Sequence, residues 1–449
     1  MARSGLGAAE VLRALDANVI IHDAKDESQL ASSIAVAVAL GAETKVGSSA
    51  YEGVADADLV VTSPGVPETS PGIVAARNAG IEILPEIELA YRISPAPIIA
   101  VTGTNGKTTT TALIGEILRC DGWNAFIAGN IAAGEMRLPL VQAAFRAASE
   151  DVIVAEISSF QLELISSFRP KVAALLNISE DHFDRYPDWE AYAGAKARLF
   201  QYQAESDTAV VNADDPASMR FSASAKSRRW EFSRNREVEL GTFMKGSEVW
   251  VRTESSERPV CDTSTMKLRG NHNIENVLAS AASVIAFGAR IESVQTAVDR
   301  FPAPEHRLEP VAEIKGVEFL NNSMCSNVVA AVRSLEAIGR PAIVIAGGKD
   351  KGLDYGPLGE AFAKYAKHVV LIGRDAGLLE SAAKSAGFDR LSRAGSMEDA
   401  VEDAWKHSQP GDTVLLSPAC ASFDMFKDFE DRGRVFKTAV HALAEREKN

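Results

Sequence analysis

The chain has 449 residues, 46% of them apolar and 24% charged, with a formal net charge of −14. That length predicts two to four domains, each able to bury its own core, and the acidic balance excludes a nucleic-acid binder working through a basic face. The four cysteines (Cys120, Cys261, Cys325, Cys420) show no CxxC pairing, no apolar run approaches the ~18 residues of a membrane span, and the first residues lack a signal peptide's apolar core. A cytoplasmic protein with reduced thiols and no membrane insertion is expected.

Residues 1–95 alternate strand and helix signals: NVIIHD, a helix, DLVVTSPGV, a helix, then IEILPEIELA. This βαβ rhythm predicts a parallel sheet. Its turns at Asp23 and Ser63-Pro64-Gly65 fall where open α/β sheets bind ligands. The opening MARSGLGAAEVLRAL starts at a glycine-containing turn and helix with no strand ahead of it.

Residues 96–302 form a second unit. Its organising stretch is PIIAVTGTNGKTTTTALIGEILRC, Pro97 to Cys120. Ile98 to Val101 read as a buried strand, and Leu113, Ile114, Ile117 and Leu118 fall at helical spacing. The loop between them, Gly103-Thr104-Asn105-Gly106-Lys107-Thr108-Thr109, makes a phosphate cradle. Its backbone N–H groups and the helix N-terminus face the anion, Lys107 adds a point charge, and Thr108 can hold Mg²⁺. Val101 stands where the usual GxxxxGK[ST] loop has its first glycine.

Further on, DVIVAE, KVAALLN and DTAVVNA each end in a polar residue, which places Glu156, Asn177 and Asn212 at strand tips beside the loop. A β-rich insert is expected over 228–254, followed by a helix with Asn271 to Asn276 at its start. The third unit, 303–449, repeats the α/β pattern through PAIVIAGG, HVVLIG and DTVLLSP, and ends in an amphipathic helix. The whole reads as α/β in three domains: 1–95, 96–302 and 303–449.

The variant loop TGTNGKTT resembles the ATP loop of the muramyl ligases and their folylpolyglutamate synthase relatives. EISSFQLE (156–163), NISEDHFDRYP (177–187), GNHNIENVLA (270–279), HRLE (306–309) and LSPACASFDMFKDFEDRG (416–433) are similar to the branch of that family that adds D-glutamate. The resemblance implies a Rossmann-like UDP-sugar domain, a central P-loop-type ATPase domain and a C-terminal Rossmann-like domain that binds the amino acid. It also implies that a strand precedes the opening turn, so a first strand is expected to be missing from this chain.

The implied activity is an ATP-dependent ligase that joins D-glutamate to UDP-N-acetylmuramoyl-L-alanine through an acyl phosphate, acting as a monomer with Mg²⁺ at two sites. By the same carry-over Thr108 and Glu156 hold one Mg²⁺, and His182 serves a second with Lys196, which CO₂ would convert to a carbamate. That conversion requires a neutral amine, hence burial. Asn271 and Arg307 would contact nucleotide. Asp23, Ser63, Pro64, Gly65, Asn130 and Ser158 would face the UDP-sugar, and Ser326, Lys351, Ser422 and Phe429 the amino acid.

The chain departs from the branch at its DSKATN motif, which here reads Asn322-Ser323-Met324-Cys325-Ser326-Asn327. Asn322 replaces an acid and Met324 a lysine. Either another cation such as Lys349 or Lys351 compensates, or the chain is a divergent relative with another acceptor, such as L-glutamate. A folyl- or polyamide-type ligase and a catalytically silent homologue are the remaining alternatives.

Overall fold

The structure, a computed structural model, describes residues 1–130, 138–183, 185–268, 270–301, 305–339 and 341–448. Among these residues the strands fall into four sheets. The largest has the order Glu257–Asp262, Glu248–Arg252, Gly241–Lys245, Arg228–Ser233, Thr208–Asn212, Val172–Leu175, Ile98–Thr102, Val152–Glu156, Ala125–Gly129. Every residue of the strands Ile98–Thr102, Val152–Glu156, Val172–Leu175 and Thr208–Asn212 is buried. Continuous apolar runs of this kind form parallel strands covered on both faces, and a separate apolar cluster packs on each face here.

The strand Ile98–Thr102 pairs in parallel with Val152–Glu156 on one side and Val172–Leu175 on the other. The chain therefore reverses its direction of winding at this strand, which opens a crevice at its C-terminal end. The residues expected as a β-rich insert instead extend this sheet. Arg228–Ser233 adds in parallel to Thr208–Asn212, and three further strands continue from it, the last two pairings antiparallel. Alternating side chains at Trp230 and Phe232 feed the common core, so no separate module forms.

The third unit has the order Glu309–Ile314, Val317–Asn321, Thr413–Leu416, Ala342–Gly347, Ala366–Ile372, Leu391–Arg393. Its first pairing is antiparallel and the others are parallel. The last helix, Phe429–Lys448, turns Phe436, Val440 and Leu443 into this unit's core.

The first unit corrects the expectation of one parallel sheet. Ile20–Asp23 pairs with Glu43–Val46, and Leu59–Thr62 pairs with Glu82–Pro85, as two separate parallel ribbons. The helix Arg3–Ala14 begins between their tips: the Met1 ammonium contacts Asp23, and a Cβ added at Gly5 would lie 3.2 Å from Ser63 Oγ. No described strand bridges the two ribbons. The strand Glu43–Val46, partly exposed and polar, carried no apolar signal by which to find it.

Candidate functional site

The phosphate loop is held by main-chain geometry. Gly106 adopts φ 86°, and a Cβ there would fall 2.4 Å from Asn276 Oδ1, so glycine is required on two counts. Asn177 pins the loop by accepting from the Thr104 N–H with its carbonyl (2.9 Å) and from the Asn105 N–H with its side chain (2.8 Å). Lys107 opens the helix Lys107–Cys120, and its Nζ donates to the carbonyls of Gly103 and Thr104, each at 3.0 Å. Thr108 Oγ1 donates to Glu156 Oε2 at 2.8 Å, joining the helix start to the neighbouring strand tip.

Burial dominates the charges around this loop. It pushes the Glu156 carboxyl up, against the pull of Lys107, and pushes Lys107 down. Lys196, 2% exposed, is driven well below the ordinary lysine range by burial and then by the charge of Lys107. Its Nζ donates to the Gly103 carbonyl at 2.9 Å and lies 4.6 Å from the centre of the Tyr192 ring. His182 has φ 58°, and burial lowers its proton affinity. Its ring stands edge-on to Phe160 at 4.9 Å, with Nε2 3.8 Å from Asp181.

The other wall of the cavity comes from the third unit. Half-buried Arg307 places Nη2 3.1 Å from Met324 Sδ. Asn322 accepts from the Leu308 N–H (3.2 Å) and donates to Ser334 Oγ (2.8 Å). Lys351 Nζ reaches Ser326 Oγ at 3.3 Å and Asp181 at 3.7 Å, and Asn327 donates to Asn105 across the two units at 3.3 Å. Arg432, 1% exposed, fastens this wall by donating to Ser323 Oγ, the Ser323 carbonyl and the Cys420 carbonyl.

One cavity gathers Thr104, Asn105, Gly106, Lys107, Thr108, Asn130, Glu156, His182, Arg307, Ser326, Lys351 and Phe429. Asn130 was expected at the UDP-sugar, and its N–H donates to the Glu156 carbonyl at 2.8 Å, beside the loop. Gly103 and Lys196 sit behind the loop rather than on the cavity wall.

Several of the expected residues are not among those lining the cavity. Asn271 is exposed at the start of the helix Asn271–Phe287, and Asn276, one and a half turns on, reaches the loop instead, accepting from Thr110 Oγ1 at 3.2 Å. Thr109 is fully buried, because one residue past Thr108 the helix has turned by about 100° into the core. Ser158 is committed to a capping box with Gln161. Ser422 is buried, its carbonyl accepting from Met425 and Phe426, and it is not among the residues lining the cavity. Asp23, Ser63, Pro64 and Gly65 lie at the ribbon tips of the first unit, apart from the cavity lining.

Asp181, Asn276, Glu275 and Arg333 line the cavity without having been singled out. Asp181 stands next to His182 in the sequence, which was signal enough. The pair Glu275–Arg333 (3.5 Å) joins two units and leaves no local trace.

The donor set can be tested against the ions and phosphates that the loop suggests. Mg²⁺ takes oxygen ligands in near-octahedral geometry. Thr108 and Glu156 offer two buried oxygens 2.8 Å apart at the head of a helix, and fit it. Lys196 offers only nitrogen and does not fit unless its amine is carbamylated.

Comparison with known proteins agrees with this geometry. A family model described as Mur ligase middle domain matches residues 101–284, one described as Mur ligase, glutamate ligase domain matches 306–420, and one described as Mur ligase MurD-like, N-terminal domain matches 1–85. The chain is 43% identical over 441 residues to UDP-N-acetylmuramoylalanine–D-glutamate ligase of Pelotomaculum thermopropionicum, covering 98% of this chain and 96% of that protein. It is 41% identical over 448 residues to the ligase of the same name from Koribacter versatilis, covering 100% and 97%.

Among solved structures it is similar to UDP-N-acetylmuramate-alanine ligase of Thermotoga maritima, with a TM-score of 0.62 at 18% identity over 98% of both chains. It is similar also to folylpolyglutamate synthase of Mycobacterium tuberculosis, with a TM-score of 0.59 at 17% identity over 80% of this chain and 94% of that one. At such identities the structures share the fold, and the full-length sequence matches carry the rest: the chain belongs to the Mur ligase family.

Proposed function

We propose that the chain is the ATP-dependent ligase that joins D-glutamate to UDP-N-acetylmuramoyl-L-alanine in cytoplasmic peptidoglycan precursor synthesis, working as a monomer. The observation that carries this reading is the convergence of the phosphate loop, Glu156 and His182 with Arg307, Ser326 and Lys351 in one cavity. The carboxylate of one substrate attacks the terminal phosphoryl group of ATP, giving an acyl phosphate and ADP. The amine of glutamate then attacks the acyl carbon, and inorganic phosphate leaves. In such transfers the protein contributes mainly positioning and charge.

The residues divide that work. Loop N–H groups and Lys107 hold the phosphates, and Asn276 backs the loop at Gly106. Mg²⁺ would be held by Thr108 and Glu156, with a second ion at His182 and a carbamylated Lys196, supplying neutralisation of the phosphates. For Lys196 the chain itself meets the chemical requirement, since burial favours the neutral amine that attacks CO₂. Lys351 and Ser326 would pair with a carboxylate of glutamate, with Phe429 walling its stem. Ser422 would contribute through the turn it begins rather than by facing the cavity.

The units 1–95, 96–302 and 303–449 would take the UDP-sugar, ATP and the amino acid in that order. Asp23 and Ser63-Pro64-Gly65 then serve the UDP at the ribbon tips. The test is phosphate release from ATP with UDP-N-acetylmuramoyl-L-alanine and a panel of amino acids. D-glutamate should give the fastest turnover. Faster release with L-glutamate, or with a neutral or basic amino acid, would overturn the choice of acceptor, and none with any of them would overturn the ligase.

A further inference from the structure

The cavity extends beyond the phosphate loop to where the central unit meets the third. Leu176, Phe232 and Glu275 line it there from the central unit, and Arg333 from the third. Two helices approach each other at this end. A Cβ at Gly270, the residue ahead of the helix Asn271–Phe287, would lie 2.5 Å from Ala337 Cβ in the helix Val328–Ile338. With the phosphates of ATP on the loop, the nucleoside falls to this end, a placement that rests on the nucleotide role proposed above.

A ribose presents two vicinal hydroxyl donors. A carboxylate suits them, because its two oxygens can accept side by side. Among the described residues three carboxylates line the cavity: Glu156, Asp181 and Glu275. Glu156 accepts from Thr108 beside the loop, and Asp181 adjoins His182 and Lys351. Glu275 is the one left for the nucleoside. It directly precedes Asn276, whose side chain accepts from Thr110 of the loop's own helix. Asn322 is not free for the task, since its amide accepts from the Leu308 N–H and donates to Ser334 Oγ.

The carboxylate of Glu275 is held in position but its lone pairs are not consumed. One oxygen lies 3.5 Å from Arg234 Nε in the central unit, and the other 3.5 Å from Arg333 Nη1 in the third. Both distances exceed those of ordinary hydrogen bonds. Arg234 Nε is buried and has no hydrogen-bond partner among the described residues. Two guanidinium groups therefore stabilise the charge from opposite sides and leave its oxygens able to accept.

We propose that Glu275 sets the specificity for the sugar of the nucleotide by accepting from the ribose 2′- and 3′-hydroxyls, with Arg234 and Arg333 as the residues that position it. A site built to hydrogen-bond a hydroxyl rejects the analogue that lacks it, because its own polar group is left unpaired. A bridge between units alone would be blind to the sugar.

Binding of ATP, 2′-deoxy-ATP and 3′-deoxy-ATP with Mg²⁺ is measured by titration calorimetry on the full chain, for wild type, Glu275→Gln and Glu275→Ala. Wild type should bind ATP ~10-fold or more tighter than either deoxynucleotide, the scale of a charge-assisted contact. Glu275→Ala should bind all three within ~2-fold of one another. Glu275→Gln, of the same shape, should lose at least ~3-fold of the preference, and it decides alone should Glu275→Ala fail to fold. An undiminished preference in the variants would overturn the assignment. So would a wild type that binds the three alike, or a loss in the variants that falls equally on all three. Binding does not require turnover. A chain that shows this preference yet releases no phosphate with any amino acid would overturn the ligase and leave Glu275 in its role, whereas no binding of any nucleotide would overturn both.

Discussion

The two walls of the cavity are built on different principles. The phosphate wall is main chain: glycine conformations, loop N–H groups and carbonyls, closed by half-buried Lys107 and by buried Thr108, Glu156 and Lys196. The facing wall is side chains next to strand ends, with Arg307 against Met324, Lys351 against Ser326, and Asn322 bonded to Ser334. A main-chain site constrains residue type by backbone geometry, and a substitution there has no partner to adjust. A side-chain site can exchange partners, and here it has done so at Asn322 and Met324. The first wall should therefore fail abruptly when altered, and the second should degrade by degrees.

The largest effect is expected at Lys196. Lys196→Ala should lower turnover by ~100-fold or more, the scale of removing one element of charge stabilisation. Formate or acetate should restore part of it by supplying a carboxylate where the carbamate would be. Wild-type rates in the unsupplemented variant would remove Lys196 from the site. Gly106→Ala probes the same wall without touching any charge. Its Cβ would meet Asn276 Oδ1 at a backbone angle that costs alanine of order 1–3 kcal/mol. A loss of ~10-fold or more in kcat/KM for ATP is expected, and an unchanged value would show that the loop is not rigid.

How far the sequence led follows the same division. The phosphate wall is nearly contiguous in the chain, so between Ile98 and Cys120 the strand and helix could be placed by apolar spacing and the loop by its glycines and Lys107. Glu156 and Asn177 followed because they end buried strands. Asn276 was missed for Asn271 because choosing between them needs the rotation of a helix whose start is not marked by periodicity. Thr109, expected at the nucleotide, turns its side chain into the core for the same reason. The two ribbons of the first unit and the sheet extension from Arg228 onward depend on which strands become neighbours. That is decided by long-range pairing, which local patterns do not encode.

On the facing wall, Lys351 is the strongest single contact expected for the acceptor. In the structure it leans on Ser326 and on Asp181 at 3.7 Å, a carboxylate near where the glutamate carboxylate would sit. Lys351→Ala should raise the KM for glutamate by at least ~10-fold, the worth of one charge-assisted contact, with little change for ATP. Equal effects on both substrates would mean that Lys351 belongs to the phosphates instead.

The smallest effect is expected at Asn322 and Met324, where the sequence departs from the DSKATN motif that the resemblance implies. A lysine at 324 would place an ammonium where Met324 Sδ now receives Arg307 at 3.1 Å, setting two cations together in a half-buried wall. Arg307 already supplies positive charge facing Glu156, and an added cation gains from the phosphates while losing to Arg307. At position 322 the amide donates to Ser334 Oγ, a bond that a carboxylate can keep only by reversing the hydroxyl, which now donates to the Ala330 carbonyl at 2.7 Å. The gains and losses are of one size, so Met324→Lys with Asn322→Asp should change the KM for ATP by no more than ~3-fold, under the ~1 kcal/mol of an ordinary hydrogen bond. A tenfold fall would show that the missing lysine had left a real deficit, and that Arg307 and Lys351 do not make it good.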